Sequence, residues 1–203
     1  MKLFYSATSP FARKTLIALR ETNLLDKVEI CTVAVNPFAP GDIVPSRNPL
    51  GKIPCLELPD GTTLYDSRVI TRYFSSLAPA TCLYPDDDTL WEALTLEATA
   101  DGIMEAAVTM TYETRLRPEE NIFPKFLDAQ WLKIDRALAA LETRWMPYLN
   151  EQKNMPVLAV AAALSYVDFR HDDRNWRIDH PTLAAWEVEI RERPSIAATI
   201  PVG

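Results

Sequence analysis

The sequence predicts an α/β segment over residues 1–77 followed by an all-α segment over residues 86–203, and three observations carry this. The first third alternates short β-branched runs with helical periodicity in the order β-α-β then β-β-α. Beyond Pro85 every periodic stretch repeats at helical spacing. Only 5 Gly stand against 16 Pro in 203 residues, which suits helices with proline-marked ends better than a sandwich of glycine turns.

Lys2–Tyr5 is an apolar run that ends in a polar turn, a candidate strand. Ser9-Pro10 supplies an N-cap and a proline at the first helical position, and Ala12, Leu16 and Leu19 form one face of a helix from Pro10 to Thr22. Val28–Val33 is β-branched, a second strand. Asn36–Pro49 is a Pro-rich loop with room for at most a short helix. Pro54–Leu58 and Thr62–Leu64 flank the turn Pro59-Asp60-Gly61, a hairpin. Asp66 and Ser67 start a helix with Ile70, Phe74 and Leu77 on one face. Ala78–Pro85 lacks a helical period and reads as the linker.

The second segment opens with Asp86, Asp87 and Asp88, acidic side chains that suit the start of a helix running to Arg115. Leu127, Trp131, Ile134, Leu138, Leu141 and Trp145 make the strongest amphipathic pattern, which Pro147 ends or follows. Asn154 is the expected cap of the apolar helix Met155–Phe169. Pro181 starts another helix with Leu183, Trp186 and Ile190 inward.

Composition narrows the function. Residues 1–78 carry 9 Lys/Arg and 7 Asp/Glu, and residues 79–203 carry 12 and 21. An acidic chain without a basic stripe is a poor nucleic-acid binder, and the first segment is the better host for an anion. The longest uncharged run, Asn154–Val167, has 14 residues, short of the roughly 20 that span a membrane. The N-terminus lacks the apolar core of a secretion signal. Cys31, Cys55 and Cys82 form neither a CxxC pair nor a zinc framework, so three reduced cysteines in a cytoplasmic protein are expected. His171 and His180 have no further ligand type nearby, and no metal is expected. GxSxG, GxGxxG and GxxxxGKS are absent.

Three short features remain as candidate chemistry. Ser9 stands at a strand-to-helix turn, where free N–H groups and the helix dipole favour an anion such as a thiolate and a hydroxyl can donate to sulfur. Capping alone also explains it. Ile53-Pro54 precedes an apolar strand; a cis bond there would turn the Ile53 backbone outward to pair with an extended peptide, and a plain loop entry is the alternative. Asp66-Ser67 can accept from an ammonium and donate to a carboxylate, or simply cap a helix. Phe11, with Met104, Val108 and Tyr112 at helical spacing, offers apolar surface for a pocket or for the core.

Taken together, Ser6-Ala-Thr-Ser-Pro-Phe-Ala-Arg-Lys14, Asn48-Pro-Leu-Gly-Lys-Ile-Pro54 and Asp66-Ser67 resemble three marks of the glutathione S-transferase family, in family order. Trp131–Glu142 resembles the family's fifth helix, and His180–Trp186 with Arg193-Pro-Ser195 its C-terminal end. The Ser9 turn and Asp101–Glu105 look most like the bacterial YibF-like branch.

The resemblance implies a thioredoxin-like N-terminal domain and an all-α C-terminal domain. It implies glutathione as co-substrate with a small electrophile, and a homodimer. Ile53, before a cis Pro54, would pair with the cysteinyl part. Asp66 and Ser67 would hold the γ-glutamyl group, and Lys52 would lie near the glycyl carboxylate. Ser9 would face the sulfur, with Tyr5 second and Ser6 third. Asp101 would reach the neighbouring subunit's glutathione. A non-catalytic glutathione-binding or protein-interaction module is one alternative. A glutathione-dependent disulfide reductase or peroxidase is another, for which Cys55 is the nearest substitute for the cysteine missing at Ser9.

Overall fold

In the computed structural model, which describes residues 1–201, the chain forms two compact units. The first holds Met1–Asp88 and, of the described residues beyond the second unit, 194–201; the second holds Thr89–Arg193.

The first unit contains β1 (Lys2–Tyr5), α1 (Pro10–Glu21), β2 (Glu29–Thr32), β3 (Cys55–Glu57), β4 (Thr63–Leu64) and α2 (Ser67–Leu77). The sheet order is β2-β1-β3-β4, with β1–β2 parallel and the other pairs antiparallel. This small mixed sheet with its helices is the thioredoxin-like arrangement. Leu3, Leu56, Ile17, Ile70 and Phe74 are fully buried and form its core. The predicted order holds throughout, with β2 and the hairpin strands shorter at their ends. Asn36–Pro49 forms turns and no helix.

The chain from Pro194 was expected with the helical segment, yet α8 (Pro194–Ala197) packs on α1. Arg13, 1% exposed, explains the attachment. Its Nε donates to Thr199 Oγ1 at 3.3 Å and its Nη2 to the Ile196 carbonyl at 3.3 Å. Ser195 Oγ also donates to the Glu21 carboxylate. These acceptors lie over 170 residues away in sequence, and they let a guanidinium be buried within a helix.

The second unit contains α3 (Leu90–Leu116), α4 (Pro124–Ala140), α5 (Met146–Glu151), α6 (Met155–His171) and α7 (Pro181–Arg191). The helix α3 packs against α4 and α6. The helix α6 is apolar all round, as a central helix must be, and buried from Met155 to Leu164. Three local expectations change. Asp86–Asp88 precede α3, whose first turn holds Glu92. A π turn, Leu141–Trp145, follows α4 and runs on into α5 without a break, and Pro147 lies directly after that turn. Asn154 occupies the cap position of α6 but makes no capping bond: its Nδ2 donates to Tyr148 Oη at 2.8 Å, and its Oδ1 is buried without a partner.

Candidate functional site

Sheet register brings the three short features to one end of the first unit. Phe4 pairs with Cys55, so the end of β1 and the start of β3 coincide. Leu56 pairs with Leu64, so the exit of β4 returns to the same end. The turn after Tyr5, the segment before Cys55 and the step into α2 therefore meet there.

Ser9 is the N-cap of α1. Its Oγ accepts from the Ala12 N–H at 3.2 Å, and its carbonyl accepts from Arg13 N at 2.9 Å. One lone pair of the hydroxyl is thereby used, and its proton has no acceptor among the described residues. Ser6 Oγ lies 3.2 Å from Thr8 Oγ1 and is held within the turn. Tyr5 is half-buried; burial pushes its phenol up, against the pull of the Arg13 and Arg20 charges.

Asn48 organises the second segment, a role the residue type and spacing did not disclose. It is 2% exposed; its Nδ2 donates to the Lys52 carbonyl at 2.8 Å, and its Oδ1 accepts from Leu50 N at 3.0 Å. An Asn two residues before an amide it can bond was the available signal. Gly51, at φ 64°, takes the left-handed conformation this turn needs. Ile53–Pro54 is cis, as is Tyr65–Asp66. The N–H and carbonyl of Ile53 make no hydrogen bond among the described residues. Lys52 is exposed and Pro54 buried.

Asp66 caps α2, its carboxylate accepting from Arg68 N at 2.9 Å. Ser67, 2% exposed, is the first residue of the helix, so its N–H has no intrahelical acceptor. Its hydroxyl has no partner among the described residues. The end of the sheet thus presents a hydroxyl donor, a strand-like backbone pair and a helix-start N–H with a neighbouring hydroxyl. Such a set fits a short peptide with an anionic end.

The remaining candidates do not belong to that open set. Cys55 is fully buried; burial first, then the Glu57 charge, push its thiol up to about 11, against Arg47. Such a thiol is a poor nucleophile near neutral pH, which removes the ground for a reductase acting through it. On α3, Met104 is fully buried and belongs to the core, whereas Val108 is half-buried and Tyr112 is 39% exposed. Phe11 is half-buried in α1. Asp101 is 2% exposed and engaged within its own chain. Among the described residues no group of three His, Cys, Asp or Glu is placed to hold a metal, and no helix is long and apolar enough to cross a membrane.

Comparison with known proteins fits this geometry. Residues 8–77 match the family model "Glutathione S-transferase, N-terminal domain". The "Uncharacterized GST-like protein YibF" of Escherichia coli K12 is 32% identical over 206 residues, 99% of this chain and 98% of that protein. A glutathione transferase family member from Pseudomonas fluorescens Pf-5, crystallised with bound glutathione, is 45% identical over 100% of this chain and 99% of its own, with a TM-score of 0.97. A structure from the same source with bound S-(propanoic acid)-glutathione is 44% identical over 100% of both chains, with a TM-score of 0.93. A glutathione S-transferase from Methylobacillus flagellatus KT with glutathione bound is 35% identical over 99% of both chains, with a TM-score of 0.85.

Proposed function

Since the chain belongs to the glutathione S-transferase family, we propose that it is a glutathione transferase that ionises the glutathione thiol and directs the thiolate at a small electrophile. The observation that carries this reading is the Ser9 hydroxyl, which accepts from Ala12 N and keeps its own proton to donate. Tyr5 and Ser6 compare less well, one being half-buried with its phenol pushed up by burial and the other held by Thr8.

In this reading the Ile53 backbone pairs with the cysteinyl residue. Ser67 donates its N–H and hydroxyl to the γ-glutamyl carboxylate, Asp66 accepts from the γ-glutamyl amine, and exposed Lys52 meets the glycyl carboxylate. The relatives with bound glutathione support the ligand, and the one holding S-(propanoic acid)-glutathione supports an S-substituted product. A homodimer in the cytoplasm belongs to the same reading; the three free cysteines fit a reducing compartment.

The energetics close without a general base. A free thiol with a pKa of about 8.5 is about 3% ionised at pH 7. Lowering it by about two units gives about 75% thiolate and needs about 2.7 kcal/mol. A hydrogen bond to a charged group supplies roughly 1.5–3 kcal/mol and a helix N-terminus roughly 0.3–1. The thiol proton passes to solvent, the sulfur forms a bond to the electrophilic carbon, and either that carbon's leaving group departs with its electron pair or its π bond opens and the resulting carbanion takes a proton from solvent. Ser9 stays a hydrogen-bond donor throughout.

The test is calorimetric titration with glutathione, together with thiolate absorbance against pH. Binding with a thiol pKa well below about 8.5, restored toward it by Ser9→Ala, is the expected result. Absence of binding at millimolar glutathione would overturn the reading. Binding with an unshifted thiol would leave a passive glutathione-binding module.

A further inference from the structure

Ser9 stands at the start of α1, so its place depends on what holds that helix. The face of α1 that carries Ala12, Ile17 and Leu19 is fully buried. Apolar packing is non-directional, whereas hydrogen bonds fix distance and direction. The hydroxyls of Thr15 and of the C-cap Thr22 return to carbonyls of α1 itself. Arg13 and Glu21 instead reach residues 194–199, which belong to the same compact unit.

That segment runs antiparallel to α1, with Ser195 at Glu21 and Thr199 at Arg13. At the ordinary helical rise the two attachments are about 12 Å apart along the axis, so together they fix both the position and the tilt of the helix. Thr199 is 5% exposed, and its hydroxyl donates to the Ser195 carbonyl at 2.9 Å. Its oxygen is thereby turned as an acceptor toward Arg13 Nε, at 3.3 Å, while the Ile196 carbonyl takes Nη2. Bonds from a buried guanidinium are the stronger kind. The backbone of the same residue holds the N-cap. Arg13 N donates to the Ser9 carbonyl at 2.9 Å, and Ala12 N donates to the Ser9 hydroxyl at 3.2 Å.

We propose that Arg13 is a positioning residue for the thiol site: its side chain grips Thr199 and Ile196 while its backbone N–H grips Ser9, so that residues 194–199 set where the Ser9 hydroxyl is presented. A misplacement of about 1 Å is enough to spoil a bond to a reacting atom, which gives a two-point clamp on α1 a catalytic consequence. That the hydroxyl is presented to a thiol rests on the transferase reading; that the segment places Ser9 does not. A clamp that served stability alone would loosen the unit evenly and leave the thiol untouched.

The test uses the full chain. Thr199→Val keeps the branched shape and removes the acceptor, and Thr199→Ser keeps the acceptor. Amide hydrogen exchange is read first, without glutathione. In Thr199→Val, exchange at Ala12 and Arg13 is expected to quicken about tenfold relative to Ile70, whose N–H is bonded to the Asp66 carbonyl at the start of α2; Thr199→Ser should stay near the wild type. Exchange at Ala12 and Arg13 that is unchanged, or that rises only in step with Ile70, overturns the clamp. Thiolate absorbance against pH is read second, with glutathione bound. The acidity of the bound thiol is expected to fall about tenfold in Thr199→Val and to be kept in Thr199→Ser. Unchanged acidity in Thr199→Val overturns the positioning role. Failure of glutathione to bind the wild type strikes the transferase reading, and the exchange result still decides whether the segment places Ser9. Circular dichroism checks the fold; if Thr199→Val does not fold, Arg13→Lys, which keeps the charge and loses the fork, is read in the same two ways.

Discussion

In the first unit the Ser9 hydroxyl, the Ile53 backbone and the Ser67 N–H are left open at one end of the sheet, whereas in the helical unit Asp168, Arg177, Glu187 and Arg191 close on one another. Arg177 grips Asp168 with two bonds, at 3.1 and 2.9 Å. Arg191 grips Glu187 at 3.0 and 2.8 Å, and Trp176 Nε1 adds a bond to Asp168 at 2.8 Å. Glu187 is 1% exposed and bonds both arginines. The contrast teaches where to look for ligands: polar groups that satisfy one another build the fold, and those left open at element ends are available for binding.

The largest expected effect tests the closed network. Glu187→Ala leaves two arginines facing Asp168 alone and is expected to cost about 3–5 kcal/mol, read as a lower urea midpoint. Glutathione affinity measured on the still-folded fraction should not move. A loss below about 1 kcal/mol would mean that the network is solvated and the contrast overstated.

Asn48→Ala tests the open end through a residue that only positions others. Removing both its side-chain bonds is expected to cost about 1–3 kcal/mol and to weaken glutathione binding, because the Leu50–Ile53 backbone loses its brace. Glutathione affinity unchanged by Asn48→Ala would detach this segment from the site. Smaller again, Ser9→Ala removes one cap bond and should cost about 1 kcal/mol of stability. A stability loss with no rise in the bound thiol's pKa would reduce Ser9 to a cap.

These residues show which part of the fold was legible in the sequence. Element order followed from local signals: periodicity through Ala12, Leu16 and Leu19, the proline after Ser9, and the turn at Pro59–Gly61. The convergence of Ser9, Ile53 and Ser67 depends on strand register, which is a long-range property. Other departures are also long-range. Glu142 caps α7 from 40 residues away, accepting from Thr182 N at 3.0 Å and Leu183 N at 2.6 Å. Asn154 gives up its local cap for Tyr148. Arg13 is buried, because acceptors distant in sequence make its buried cation tolerable. Asp101 and Met104 are buried for reasons the spacing along α3 does not contain.

The smallest effect concerns Cys55, which shares the end of the sheet but not its openness. Its thiol, pushed up to about 11 by burial and then by Glu57, is about 0.1% ionised at pH 8. Cys82 is exposed and Cys31 half-buried, so an aromatic disulfide reagent should modify Cys82 quickly, Cys31 slowly, and Cys55 only on unfolding. The raised folded-state value also has a sign. It stabilises the fold fully below the ordinary thiol value of 9.0, and that contribution disappears as pH climbs through about 11. Cys55→Ala should therefore flatten the loss of stability across that window. If Cys55 instead reacts in the native protein as fast as Cys82, the sheet end holds a usable thiolate. The disulfide-reductase chemistry would then regain its nucleophile, and Ser9 would no longer be the group on which the reaction turns.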